Sequence, residues 1–333
     1  MRKIVRIAMT TLALYGTQQA HAQVHPHFSS YYVYPAWLNP ALTGAFDGQM
    51  RVSGIYRSQW GNVSTPFSTP GVAFDINTEK NMSYGLSLMR QTAGKGGYSY
   101  TTAYGNLAYT GVQSANGMKR LVLALQIGMI QRRFDPTKLT FGDQWNPITG
   151  YSSSNPTSDL ISGNNQSALD FGAGFLYFDA TPGKKANFFG GYSASHINKP
   201  KDKFSSLGGG TIPMRHTVHA GVRINLNDRF SLTPNALYLR QGTASETMVG
   251  AYGQLKVSDK SDFMLGANYR FKDALAPFVG YTFGNMMIST SYDINMSDLG
   301  KVARGSNSFE LSLTFIKKRK VETPEGEFVC PRL

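Results

Sequence analysis

Few side chains in this sequence could do chemistry, and they lie far apart. Ser193-x-x-His196, with Ser195 beside it, has the residue types of a serine nucleophile and its base. Residues 187–197 alternate like a strand, on which positions three apart point to opposite faces, so Ser193 and His196 do not meet. Ser195 is adjacent and also faces away from His196. The plainer reading is a turn-flanking histidine near an external rim, with Pro200 tolerated at the strand exit. Gly94-Lys95-Gly96-Gly97 lacks the spacing of a phosphate loop and follows no helical pattern, which makes it a hairpin tip. His25 and His27 offer only two metal ligands. No catalytic, cofactor-binding or metal-binding residue is expected, and the chain is not read as an enzyme.

The remaining polar candidates are arginines and one loop. Arg51 and Arg57 share a face with Gln59 in the first alternating run, while Arg90 and Arg270 lie near the ends of later runs. They are expected to form a polar lumen network or to be rim charges facing lipid phosphates, with a selectivity or partner role as the alternative. Phe141-Gly142-Asp143-Gln144-Trp145 sits in the longest connection, where it packs its own aromatics, plugs a lumen or holds an exported protein.

Strands must position these residues. In Lys119–Arg133, Leu121, Leu123, Leu125, Ile127 and Met129 recur at a spacing of two. The alternate positions Val122, Ala124, Gln126, Gly128 and Ile130 are smaller and mixed. A helix here would be apolar all round, whereas a strand places one greasy face toward lipid and the other toward a lumen. Similar runs at 50–60, 70–77, 82–88, 99–110, 169–179, 187–197, 214–226, 230–240, 246–257, 263–272, 276–283, 286–294 and 308–315 bring the total to about fourteen. Every second connection is short, as at 78–81, 227–229, 258–262 and 283–285. Those between are often long, above all 134–168, 198–213 and 296–307. Such asymmetry fits an outer-membrane barrel with periplasmic turns and external loops. The short connection at 273–275 departs from it and leaves the count open by two.

The first residues supply an address. Arg2, Lys3 and Arg6 precede a mostly apolar stretch from Ile4 to Leu14, and Ala20-His21-Ala22 has small residues at a cleavage site before Gln23. This pattern predicts a secretory signal peptide at 1–22, followed by no cysteine for a lipid anchor. Of the formal +13, three charges leave with the leader, giving +10. Export argues against nucleic acid as the partner of that positive charge and leaves acidic lipopolysaccharide or an acidic protein. The lone Cys330 cannot close an internal disulfide. No apolar run of about 18 residues follows the leader, so transmembrane helices are not expected.

Several phrases, in order, resemble the PorP/SprF family of type IX secretion outer-membrane proteins of the Bacteroidetes. They are Leu38-Asn39-Pro40-Ala41-Leu42-Thr43-Gly44, Tyr56-Arg57-Ser58-Gln59-Trp60, and 191–200 with His196 and Pro200. Pro234 to Gln241, Tyr269-Arg270, Tyr292-Asp293, Glu310 and the Cys330-Pro331-Arg332 tail complete the set. The resemblance implies a barrel serving protein secretion or gliding, with these motif positions, and Asp143 and Gln144 beside them, structural or partner-binding. It also implies periplasmic lipoprotein, ring or peptidoglycan-binding partners and a sorting-domain substrate such as an adhesin.

The expected organisation is an all-β transmembrane antiparallel barrel over 49–316, preceded by an N-terminal periplasmic segment at 23–48. A periplasmic tail at 317–333 follows. Lys317, Lys318, Arg319 and Lys320 there form a candidate docking run, on a tail able to extend about 60 Å. A narrow lumen lined by Gly85, Ser87, Ala124 and Gly128 and closed by 134–168 would favour an anchor. The alternative is a passive porin or hydrophobic-solute transporter, recognised by an open pore.

Overall fold

The computed structural model describes residues 26–61, 65–78, 81–94, 97–135, 138, 141–155, 165–202, 210–297 and 307–318. Fourteen strands close into one antiparallel barrel. They are β1 Met50–Gln59, β2 Phe67–Asn77, β3 Met82–Ala93, β4 Tyr98–Gln113, β5 Lys119–Arg133, β6 Asn165–Asp179 and β7 Ala186–Ser195. The second half comprises β8 Arg215–Asn225, β9 Phe230–Gln241, β10 Ala244–Ser258, β11 Ser261–Arg270, β12 Ala274–Phe283, β13 Met286–Asn295 and β14 Ser308–Lys317. Each strand pairs with its sequence neighbours. Closure comes from β1 against β14, in register from Met50↔Lys317 to Gln59↔Ser308. No strand edge of the barrel is left unpaired.

Alternation sets what faces where. Leu86, Leu125 and Leu169 are each 64% exposed on the outside, a level water would not tolerate over so wide a band but lipid would. The alternate positions Ser83, Ser87, Ala124, Gln126 and Asp170 point inward and are buried. Among the described residues no helix is long and apolar enough to cross a membrane. The connections at 78–81, 114–118, 180–185, 226–229, 259–260 and 284–285 define a short-turn end. The segments 134–164, 196–214 and 296–307 lie at the other end. The 271–273 turn is a short member of the long-connection end, so the count stays even.

The N-terminal segment departs from the expectation. Residues 26–48 do not lie beside the barrel in the periplasm; they pass through its lumen. Phe28, Tyr31, Tyr32, Val33, Tyr34 and Leu38 are almost wholly buried. The segment bonds to strands all round the barrel, to β2 and β3, β6 to β9, β11, β13 and β14, which only an interior segment can do. The segment folds into one helical turn, α1 Pro35–Leu38, and a 3-10 turn at Pro40–Leu42. Proline opens both turns, where a missing N–H costs nothing. It thus fills the lumen in place of 134–168, whose described part carries the two-residue ribbon Trp145–Asn146 with Gly150–Tyr151. The signal peptide at 1–22 lies outside the described residues.

Candidate functional site

Three fastenings hold the lumen segment, one at each end and one between. The first is at the long-connection end. Arg57 on β1 donates through Nη2 to Asp293 Oδ2 on β13 at 2.8 Å and through Nη1 to Glu310 on β14. Arg270 on β11 donates through Nη2 to the same Asp293 oxygen at 2.8 Å and through Nε to Asp273. The plug closes this ring of charge. The N–H groups of Ser29 and Ser30 donate to the two Glu310 oxygens at 2.7 and 2.9 Å, and the Ser29 hydroxyl donates to Asp293 at 2.7 Å. Asn268 Nδ2 donates to the Ser29 carbonyl at 2.9 Å. Buried carboxylates are tolerable because each meets guanidinium and N–H donors. His27 lies 3.4 Å from Arg57 Nη2 and 3.9 Å from Glu246. Tyr31 donates to Asn235 Oδ1 at 2.6 Å.

Asn39 is the middle pin. It is fully buried, and its Oδ1 accepts from the Ala41 N–H at 2.9 Å, capping the 3-10 turn. Its Nδ2 donates to the Phe175 carbonyl on β6 at 3.0 Å and lies 3.2 Å from His219 Nε2. Wall and plug come so close here that a Cβ on Gly191 would sit 2.7 Å from Asn39 Nδ2. Arg215 Nη2 donates to the Trp37 carbonyl at 2.9 Å, and its guanidinium carbon lies 5.2 Å from the Trp37 ring centre. A cavity of about 20 Å³ lined by Trp37, Tyr100 and Arg215 has room for roughly one water.

The third fastening is at the short-turn end. Arg51 grips Asp75 with Nε to Oδ1 at 3.0 Å and Nη2 to Oδ2 at 2.7 Å, the forked geometry only arginine makes. The same Nη2 donates to the Leu42 carbonyl at 3.0 Å, and the Gly44 N–H donates to Asp75 Oδ2 at 2.9 Å. Gly44 has φ +73°, a conformation open to glycine, and a Cβ there would strike Ser83.

The structure thus gathers Asn39, Pro40, Gly44, Arg57, Arg270, Asp293 and Glu310 into one plug-holding network. Other expected positions stand apart. Gln59 ends β1, and the Trp60 ring meets Phe67 edge-on at 5.2 Å. Gln144 fastens its own loop by donating to the Asn155 carbonyl at 3.0 Å, and Asp143 is exposed beside it. Pro200 accepts the Ile212 N–H, and Gln241 donates to the Pro213 carbonyl, both at the long-connection end. Pro234, Tyr269 and Tyr292 lie on the lipid side, and Asn307 Nδ2 donates to the Tyr292 hydroxyl at 2.8 Å. Ser193 donates to the Leu38 carbonyl at 2.9 Å, whereas the His196 Nδ1 lies 2.8 Å from Asp170, which also accepts from Tyr104. Lys317 ends β14 and Lys318 follows it, both exposed; Arg319, Lys320, Cys330, Pro331, Arg332 and His25 lie outside the described residues. Sequence reading missed Ser29, Asp75, Asn235, Glu246, Asn268 and Arg215. For the strand residues, inward parity was the available signal; for Ser29 there was none.

Comparison with known proteins agrees with this architecture. The family described as type IX secretion system membrane protein PorP/SprF matches residues 20–315. No curated protein sequence matches the chain. Among solved structures it is similar to the Ralstonia pickettii toluene transporter TbuX, with a TM-score of 0.50 at 12% identity over 84% of this chain and 92% of that one. The CymD monoaromatic hydrocarbon channel aligns with a TM-score of 0.50 at 10% identity over 86% and 93%. At such identities the likeness concerns the barrel fold alone.

Proposed function

We infer function from one premise: the chain belongs to the PorP/SprF family of type IX secretion system membrane proteins. On it rests the reading of an outer-membrane barrel that supports export or surface anchoring of sorting-domain proteins such as adhesins. Its periplasmic contacts would be lipoprotein, ring or peptidoglycan-binding components, with the 317–333 tail as a docking segment. The observation that favours an anchor over a passive porin or hydrophobic-solute transporter is the filled lumen. A barrel occupied along its axis by residues 28–46, fastened at three levels, is filled where a passive pore is open. Work is then left to the two ends. At the long-connection end Trp145, Ile148 and Tyr151 are exposed, the residue types that anchor protein contacts.

The test is a pull-down of the tagged protein from gently solubilised outer membranes, read by mass spectrometry. Recovery of periplasmic ring lipoproteins or a large sorting-domain protein supports the reading. Reproducible recovery of the barrel alone, together with steady ion conductance in planar bilayers, sinks it in favour of the porin.

A further inference from the structure

From the Tyr109–Leu123 pair toward the long connections, strands β3 to β6 pair without a register shift, so their outward residues fall into transverse rows. Three successive rows are apolar, yet each holds one small residue among large ones: Ala173 beside Leu125, Gly105 between Leu86 and Ile127, and Ala103 beside Met129. The missing side chains leave a depression of about 780 Å³ in the outer wall and an adjoining one of about 490 Å³. Each has the volume of a small-ligand site, roughly 300–1,000 Å³.

Polarity changes abruptly one row higher, toward the long connections. That row reads Arg90, Thr101, Gln131, Ser167, and the next carries Arg133 opposite Asn165. Arg90 and Arg133 are exposed and face outward, and among the described residues neither meets a carboxylate within ion-pair distance. Ile197, which lines the larger depression, donates its N–H to the Phe171 carbonyl at 3.0 Å. That bond brings exposed Lys199 and Lys201 to the same rim. Unpaired cations stand directly above an apolar depression, on a wall that faces lipid. The matching ligand is anionic at its head and acyl at its tail.

We propose that the outward face of β3–β6 binds a phosphorylated glycolipid of the outer leaflet. Acyl chains fill the depression over Ala103, Gly105 and Ala173, and headgroup phosphates sit on Arg90 and Arg133. Guanidinium suits phosphate because it donates two parallel hydrogen bonds to it. The proposal rests on the outer-membrane orientation, with long connections external, and is independent of the secretion role.

The test uses the full-length barrel in mild detergent, with lipid retention read by native mass spectrometry. The probes are bis-phosphorylated lipid A, dephosphorylated lipid A and phosphatidylglycerol. Two variants act at separate places: Arg90→Gln with Arg133→Gln at the head, and Gly105→Leu in the depression. A Cβ at Gly105 would meet the Ile127 carbonyl at 3.8 Å and Leu86 Cδ2 at 3.9 Å, ordinary contacts, so the leucine fills space without moving backbone. Unchanged heat-dependent gel migration verifies folding, and the exposed arginine pair stands as the test should Gly105→Leu not assemble. The expected result is selective retention of phosphorylated lipid A, weakened by Gly105→Leu, which takes the space of the acyl chains, and weakened about tenfold or more by the arginine variant, the worth of one charge-assisted hydrogen bond. Equal retention of all three lipids, or by wild type and the arginine variant, overturns the proposal.

Discussion

Arg57 shows how tightly single residues are used in this barrel. One guanidinium, 1% exposed, serves Asp293 and Glu310 from two strands, and those same carboxylates hold the plug through Ser29 and Ser30. Replacing it with methionine leaves Glu310 buried without its guanidinium and Asp293 with Arg270 alone. The expected cost is about 3–5 kcal/mol, the range for stripping one partner from a buried pair. Denaturant unfolding in detergent measures it, and Arg57→Lys restores only part because an ammonium has no fork.

At the scale of elements, the plug and the wall are made for each other. The wall supplies glycine where Asn39 of the plug presses on it, at Gly174 and Gly191, and the plug supplies glycine where it turns back toward the wall, at Gly44. In between, α1 and the 3-10 turn use Asn39 as both cap and pin. Deleting 26–46 removes the filler but none of the strand pairings, including the β1–β14 closure. The shortened barrel is expected to assemble, to keep its heat-dependent migration, and to conduct ions in planar bilayers where the intact protein does not. Conductance unchanged by the deletion would mean that something other than the plug closes the lumen.

For the whole molecule, closure and filling together define what each end has to do. The chain begins its described course at the long-connection end, runs down the lumen, and starts β1 at the short-turn end, where β14 also finishes. The described chain therefore ends on the same side as the short turns, where the proposed docking tail would begin. Removing 321–333 is expected to spare barrel assembly and abolish display of the exported substrate at the cell surface. Surface proteomics of cells carrying the truncated protein makes the measurement, and normal display counts against a docking tail.

How much of this was legible in the sequence depends on range. Period-two alternation is local, so Lys119–Arg133 and its thirteen companions could be read directly, along with the lipid face, the lumen face and the alternation of short and long connections. That Arg51 and Arg57 face inward followed from the same parity, whereas Arg270 was placed only near the end of its run. Family phrases such as Leu38 to Gly44 marked residues that matter without saying what they do. Partners separated by most of the chain were not legible: Ser29 meets Glu310, Asn39 meets Phe175, and Arg57 meets Asp293 only because the sheet closes on itself. Alternation tells each strand which way is in, but it carries no information about what occupies the inside. An aromatic, proline-broken segment has no period of its own, and so its place in the lumen was decided by tertiary structure, where buried aromatics and matched charges outweigh the absence of any local pattern.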